Sequence, residues 1–276
     1  MQFLILILVA LVVSAIGFHK YVWFISLGYG FSIAALGVAL FIMFPGATSA
    51  LDVLFRVLLI VYGLRLGGYL AYREVKSASY NKLMKREIKS ASYNKLMQKE
   101  TNGNSQVSLG ARIASWVPVA ILYPLMVAPV YFRLANGAAP NVWGWVGLIV
   151  QAAGILLELT ADLQKQQAKK ANPHRFVDSG LYSVVRCPNY LGELVNWTGV
   201  FISGFGAVAG GLQWACAIVG WLSIIYIMFG GARRLEMRQD GNYGRDPVYR
   251  HYCETVPILL PGGPLFSVKK YTWLVA

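Results

Sequence analysis

Charge is scarce in this chain, and acidic residues are scarcer than basic ones. Charged residues make up 13% of the 276 residues and apolar residues 57%, with 25 Lys and Arg against 12 Asp and Glu. A soluble domain usually carries about twice that share of charge. The composition therefore excludes an ordinary soluble fold and indicates a polytopic membrane protein.

Cysteine and histidine are also few. The chain has three of each, namely Cys187, Cys216, Cys253, His19, His174 and His251. Two of the cysteines fall in segments predicted to be cytoplasmic, where thiols stay reduced, so the three do not form a disulfide framework. The histidines lack the spacing of paired metal ligands. We therefore predict no metal site.

Long apolar runs dominate the sequence. A helix needs about 20 apolar residues to cross a hydrocarbon core of about 30 Å. Such runs predict seven transmembrane helices, near residues 2–18, 22–44, 50–72, 110–135, 142–162, 190–211 and 213–231. We expect an all-α fold in one membrane domain over residues 1–276, with the first helix retained rather than removed as a signal peptide.

Basic residues alternate between the connections of these predicted helices. Eight lie between Arg73 and Lys99, five between predicted helices five and six, and seven after helix seven, whereas 45–49, 136–141 and 207–212 carry none. This pattern predicts an outside N-terminus and a cytoplasmic C-terminus. The net charge of +13 thus reflects topology, and we expect membrane lipids, not nucleic acid, as partners. The membrane would be an internal one such as the endoplasmic reticulum in a eukaryote, or the inner membrane in a bacterium.

The predicted cytoplasmic loop 73–107 contains a tandem repeat, in which residues 73–85 recur as 86–98. Thirteen residues turn an ideal helix through about 1300°, so the two copies cannot present the same face. A small duplication tolerated in a solvated loop is the favoured interpretation. The sequence does not show which copy holds any role.

Polar side chains share one face on three predicted helices. They are Tyr62, Arg65, Tyr69 and Tyr72 on helix three, Gln151, Glu158 and Asp162 on helix five, and Asn189, Glu193 and Asn196 on helix six. Ionisable groups in a membrane usually line an internal polar pocket. Helix four, with prolines at 118, 124 and 129, should be kinked. We predict an internal chamber open to the basic side. The alternatives are hydrogen bonds that hold helix six against a neighbour, an intrahelical ladder of ion pairs on helix five, and interfacial tyrosines on helix three.

Arginine and lysine collect in the cytoplasmic segments after helices five and seven. They are Lys169, Arg175, Arg186, Arg233, Arg234, Arg238, Arg245 and Arg250. Guanidinium groups can hold phosphates bidentately, so a ligand with several phosphates is one interpretation. Attraction to anionic lipid head groups is the other.

Four segments carry a family resemblance. They are ADLQK at 161–165, GLY at 180–182, RxPNYxGE at 186–193 and the tail 243–261, which contains a YxxY pattern followed by prolines. Together they resemble the steroid 5-alpha-reductase superfamily, and most of all its DUF1295 branch. The resemblance covers roughly the last 120 residues, and the N-terminal third matches only by pattern.

The resemblance implies a membrane-embedded, NADPH-dependent reductase. Its substrate would be a lipophilic, steroid-like or isoprenoid-like molecule with a carbon–carbon double bond conjugated to a carbonyl. The residues that it places at the cofactor are Asp162, Lys169, His174, Arg175, Asn189, Glu193, Arg234, Arg238 and Arg250. The tail 232–276 would complete the pocket, and Tyr69 would donate to the carbonyl oxygen, assisted by Arg65 or Tyr72.

The chain departs from the family pattern at two positions. Helix two has no carboxylate, and Tyr29 is its best polar group; Cys187 stands where histidine is commoner. These departures motivate a second interpretation, a non-catalytic subunit of a larger membrane complex. A third is an isoprenylcysteine or phospholipid methyltransferase that uses S-adenosylmethionine, because those enzymes share the GxYxxxRxPxYxGE signature.

Overall fold

The computed structural model describes residues 2–47, 49–76 and 107–274, and this part of the chain is helical with no β-strand. Its eight α-helices are α1 (Gln2–Ser14), α2 (Leu27–Met43), α3 (Ala50–Lys76), α4 (Leu109–Ala135), α5 (Val142–Ala171), α6 (Pro188–Ile202), α7 (Gly210–Tyr243) and α8 (Pro247–Thr255). The all-α prediction is confirmed for these residues. Most of the repeat in 73–98 lies outside them.

Four segments among the described residues are long and apolar enough to cross a membrane: Tyr21–Met43, Leu109–Ala135, Val142–Ala171 and Gly210–Tyr243. They indicate a membrane protein, as predicted, and Gln2–Phe18 is a shorter apolar helix. The predicted span 190–211 differs, because α6 ends at Ile202. Its 15 residues rise about 22 Å. The count of seven spans and their orientation stay predictions.

The helices form two compact units, Met1–Trp145 with Ser203–Gly220, and Val146–Ile202 with Trp221–Ala276. In the first unit, α2 and α3 touch backbone to backbone. A Cβ on Gly63 would lie 2.4 Å from the Ala34 nitrogen, and one on Gly30 would lie 2.5 Å from the Gly67 nitrogen. Small residues permit this close approach in a membrane.

A buried ion pair links α3 to α4 in the same unit. The Arg133 Nε donates to Asp52 Oδ1 at 3.1 Å, and its Nη2 donates to the Ala139 carbonyl at 2.7 Å. Arg56 Nε donates to the Asp52 carbonyl at 3.0 Å. These contacts offset part of the free energy that burial of the charges costs.

The second unit contains most of α5, all of α6, residues 221–243 of α7, α8 and the C-terminal tail after α8. Its core includes tail residues and residues of the helices, namely Cys187, Leu194, Ala232, Leu235, Ile258, Leu259, Val268 and Leu274. The segments with the family resemblance all lie in this unit.

Candidate functional site

Helices α5 and α6 run antiparallel with their backbones in contact. A Cβ on Gly154 would lie 2.2 Å from the Asn196 nitrogen. A Cβ on Gly192 would lie 2.6 Å from the Glu158 nitrogen, and one on Gly199 would lie 2.3 Å from the Gln151 nitrogen. Each layer of this contact thus sets a glycine of one helix against a polar residue of the other.

The polar residues of the contact are buried. Gln151, Glu158, Glu193 and Asn196 are each at most 6% exposed. The Trp197 indole nitrogen donates to Glu193 Oε2 at 3.1 Å. Asn189 begins this face of α6, and its buried Oδ1 has no hydrogen-bond partner among the described residues. The faces predicted from spacing on helices five and six therefore meet in one polar seam.

The ADLQK and GLY segments dock on each other. Gln164 Oε1 accepts from the Leu181 nitrogen at 2.8 Å, and the Tyr182 hydroxyl donates to the Ala161 carbonyl at 3.3 Å. Gly180 has a φ of +62°, and a Cβ there would lie 2.5 Å from Gln164 Oε1. Only glycine adopts this conformation beside the amide without strain. The two motifs thus fix the chain that leads from α5 into α6.

The YxxY segment of α8 closes on the same turn. The Tyr252 hydroxyl donates to the Tyr182 carbonyl at 2.7 Å, and the Tyr249 hydroxyl donates to Asp240 Oδ1 at 2.8 Å. Both tyrosine rings lie against Phe176. Burial raises the pKa of both tyrosines, so they remain neutral hydroxyl donors at physiological pH. The motif tyrosines have structural contacts that hold the tail near the start of α6.

A buried ion pair that the sequence analysis missed completes this attachment. Arg186 Nη2 donates to Glu236 Oε1 at 2.9 Å, and both side chains are at most 3% exposed. Burial lowers the pKa of Arg186, but the hydrogen bond and the attraction of Glu236 outweigh it and raise the pKa overall. Glu236 Oε2 accepts from the Val268 nitrogen at 3.0 Å. The sequence signal for this pair was Glu236, the single acidic residue within the basic segment RRLEMR at 233–238.

Cys187, the departure from the commoner histidine, is 2% exposed. Burial raises the pKa of its thiol to about 12. Its backbone nitrogen donates to the Ile258 carbonyl at 2.9 Å. The residue therefore acts as a small apolar core group beneath the tail and is not a reactive thiolate.

The predicted cationic residues are distributed around the loop and the tail. Lys169 Nζ donates to the Arg175 carbonyl at 2.5 Å and to the Tyr243 hydroxyl at 3.0 Å. Arg175 forms an exposed ion pair with Asp178 at 2.6 Å. His174 and Arg250 are exposed, whereas Asp162, Arg234 and Arg238 are half-buried. The structure thus joins Lys169 to the Arg175 loop and to α7.

The predicted catalytic residues lie on α3 in the first unit. Tyr69 and Arg65 are half-buried, and Tyr72 is 56% exposed. The Arg73 guanidinium lies 5.8 Å from the Tyr69 ring centroid. Tyr29, the polar group of α2, hydrogen-bonds the Tyr62 hydroxyl at 2.8 Å. The structure therefore pairs the polar group of α2 with Tyr62.

Comparisons with known proteins agree with the resemblance. The chain is 26% identical over 159 residues to an uncharacterized protein of Schizosaccharomyces pombe, covering 50% of this chain and 45% of that protein. It is 27% identical over 93 residues to the steroid 5-alpha-reductase DET2 of Arabidopsis thaliana, covering 32% of this chain and 30% of that protein. The chain thus matches less than half the length of each. No solved structure matches.

The family described as a protein of unknown function, DUF1295, has a sequence model that matches residues 12–256. This match includes the first three motif segments, residues 243–256 of the fourth, and the helices of the first unit from residue 12 onward. The chain therefore belongs to the DUF1295 family.

Proposed function

We propose that the protein is a membrane-embedded, NADPH-dependent reductase. It would saturate a carbon–carbon double bond conjugated to a carbonyl in a lipophilic, steroid-like or isoprenoid-like substrate. The observation that carries the proposal is the mutual docking of the motif segments in the second unit, with Gln164 on the GLY turn and Tyr252 on Tyr182. The similarity to a steroid 5-alpha-reductase supports it.

The donor set of this unit fits a phosphorylated dinucleotide. Asn189 offers a buried amide oxygen without a partner among the described residues, which suits a hydroxyl or amide donor of the nucleotide. Lys169, Arg175, Arg234, Arg238 and Arg250 would neutralise phosphates, with Asp162, Glu193 and His174 accepting or donating at the sugars. A unit that carries cations, carboxylates and amides suits a ligand with both phosphates and hydroxyls.

When bound, NADPH would supply a hydride to the β-carbon of the substrate. The chain would polarise the substrate carbonyl and stabilise the negative charge that develops on its oxygen. Tyr69 is our candidate donor because its hydroxyl lies on a helix that also carries the Arg65 and Arg73 guanidinium groups. Tyr72 and Arg65 would assist it.

The proposal includes seven transmembrane helices, with the N-terminus outside and the C-terminus cytoplasmic. The basic loops then face the cytoplasm, where NADPH is available, and the tail 232–276 completes the cofactor pocket. The helix α7 continues to Tyr243, 12 residues past the predicted end of its span at 231, as an extension into the cytoplasm would.

Identification of the bound nucleotide tests the proposal. The full chain is purified in mild detergent, its bound small molecules are extracted and identified by mass spectrometry, and NADPH oxidation is followed with a conjugated enone. NADPH or NADP together with enone-dependent oxidation is the expected result. S-adenosylmethionine would instead support the methyltransferase, and folded protein without a nucleotide would support the non-catalytic subunit.

Asn189→Ala and Glu193→Ala are each expected to weaken NADPH binding by about 1 to 3 kcal/mol, because each removes a polar contact to the nucleotide. The measurement is the dissociation constant by isothermal titration in detergent. Thr255→Ala is the matched control, since the Thr255 hydroxyl donates to the His251 carbonyl of its own helix. Unchanged affinity in both test variants would show that the two residues serve helix packing alone.

Tyr69→Phe is expected to reduce enone turnover at least about 100-fold, since removal of an oxyanion donor typically costs that much. The nucleotide affinity should stay the same. Tyr226→Phe removes an exposed hydroxyl that donates to the Trp273 carbonyl and should leave turnover unchanged. Full turnover by Tyr69→Phe would reject Tyr69 as the donor.

A further inference from the structure

Two amide side chains in the polar seam have no role in the proposed nucleotide site. Gln151 on α5 is 0% exposed and Asn196 on α6 is 1% exposed. The nitrogen and the oxygen of both amides are buried without a hydrogen-bond partner among the described residues. We name these two residues the amide pair.

Glycines explain why the opposite helix does not satisfy the amide pair. Gly199 lies against the Gln151 backbone, and Gly154 lies against the Asn196 backbone. A glycine has no side chain to donate or accept, and the backbone groups within both helices are used by intrahelical hydrogen bonds. The local sequence thus brings two amides into the contact and gives them no partner across it.

A role in holding the two helices together does not account for this arrangement. Amides that glue membrane helices do so by hydrogen bonds across the interface. A buried amide without such a bond destabilises the protein, because it has lost its bonds to water. Glu193, on the same helix, accepts from Trp197. The amide pair is therefore suited to a partner that the chain itself does not supply.

The position of the amide pair restricts the chemistry of that partner. Gln151 is the tenth residue of α5, at the middle of the predicted span 142–162. Asn196 follows Asn189 by two helical turns, about 10 Å along α6. A partner at this depth must be mainly apolar, and an amide offers both donors and acceptors but no charge.

We propose that the amide pair binds a neutral oxygen of the lipophilic substrate, a carbonyl or a hydroxyl, at a point remote from the nucleotide site. This inference rests on the proposed function for the lipophilic nature of the substrate. Amide nitrogens donate to either kind of oxygen, and amide oxygens accept from a hydroxyl. The amide pair would thereby hold the substrate by its oxygen beside the α5–α6 seam.

Matched probes test the amide pair without turnover. Three molecules with one steroid skeleton are used, bearing a distal ketone, a distal hydroxyl or neither, and their dissociation constants are measured without nucleotide by quenching of tryptophan fluorescence. The wild-type chain should bind at least one oxygenated probe about tenfold more tightly than the hydrocarbon. The ketone and hydroxyl results show which oxygen the amide pair prefers.

Two apolar variants of matching shape, Gln151→Met and Asn196→Leu, should lose this preference and retain the affinity for the hydrocarbon. Gln213→Met is the control, because Gln213 is half-buried and its amide accepts a hydrogen bond from the Asn136 side chain. This variant should retain the preference. The probe affinities are measured without NADPH and do not depend on turnover. Absence of enone reduction would therefore reject the proposed function, whereas the probe affinities alone would test the amide pair.

Stability of the ligand-free variants separates binding from a structural role. Removal of an amide that has no partner should leave the melting temperature unchanged or raise it. A lower melting temperature in both ligand-free variants would show that the amides hold the helices together and would overturn the proposal. Equal wild-type affinities for all three probes would overturn it as well.

Discussion

Glu236→Leu is expected to lower the free energy of unfolding by about 3 to 5 kcal/mol, because it leaves the buried Arg186 guanidinium without its carboxylate. Water cannot replace the lost carboxylate, since Arg186 is only 2% exposed. The substitution also removes the acceptor of the Val268 nitrogen. Unfolding in a denaturing detergent titration, monitored by circular dichroism, measures the loss.

The tail should respond first. The Arg186 and Cys187 nitrogens donate to the Pro257 and Ile258 carbonyls, both at 2.9 Å, so the ion pair and the tail share one region. Trypsin should then cleave Glu236→Leu after Lys269 faster than it cleaves the wild type. Unchanged cleavage together with unchanged stability would contradict the attachment of the tail by this pair.

Two controls isolate the buried charge. The double variant Arg186→Met with Glu236→Leu replaces the pair by apolar groups and should be more stable than Glu236→Leu alone, because no charge stays buried. Lys269→Ala breaks an ion pair with Asp240 in which the Lys269 side chain is 48% exposed. Its cost should stay below about 1 kcal/mol.

Hydropathy predicted the helices where apolar runs end at clear boundaries. The prediction 110–135 differs from α4, Leu109–Ala135, by one residue, because Ser108 caps the helix by accepting from the Ala111 nitrogen. The hydropathy prediction 190–211 extended α6 beyond its end at Ile202, because residues 203–211 are apolar or small. Gly206 and Gly210 both have a φ of +72°, and an average over side chains does not detect such turns.

The spacing of polar residues predicted the faces of α5 and α6, but not their partners. A period of 3 and 4 places Gln151 and Glu158 on one face whatever lies opposite. That the opposite residues are Gly199 and Gly192 depends on the antiparallel register, which local sequence does not encode. Local spacing did not predict the Arg186–Glu236 pair for the same reason, since 50 residues separate its members.

Gly154→Val is expected to cost about 3 kcal/mol of unfolding free energy, the upper end of the usual cost of overpacking. The new Cβ would lie 2.2 Å from the Asn196 nitrogen, 2.6 Å from its Cα and 2.7 Å from the Gly192 carbonyl oxygen. All three are backbone atoms, which no change of rotamer can move. The two helices must therefore separate along the seam.

Gly241→Ala is the matched control within the same unit. Gly241 is also helical, yet a Cβ there would meet nothing within 4 Å. Alanine should raise stability there by up to about 1 kcal/mol, because it is the better helix former. The two substitutions thus add a side chain to a helical glycine with opposite expected signs, measured by the same detergent titration.

Separation of the helices should also reach the proposed nucleotide site. Asn189 and Glu193 lie on α6, within two turns of the Gly154 contact at Asn196, so displacement of α6 would move both. Gly154→Val should therefore weaken NADPH binding at least as much as Asn189→Ala, with Gly241→Ala at wild-type affinity. Wild-type stability and affinity in Gly154→Val would show that α5 and α6 are not in backbone contact, and the polar seam would then lose its basis.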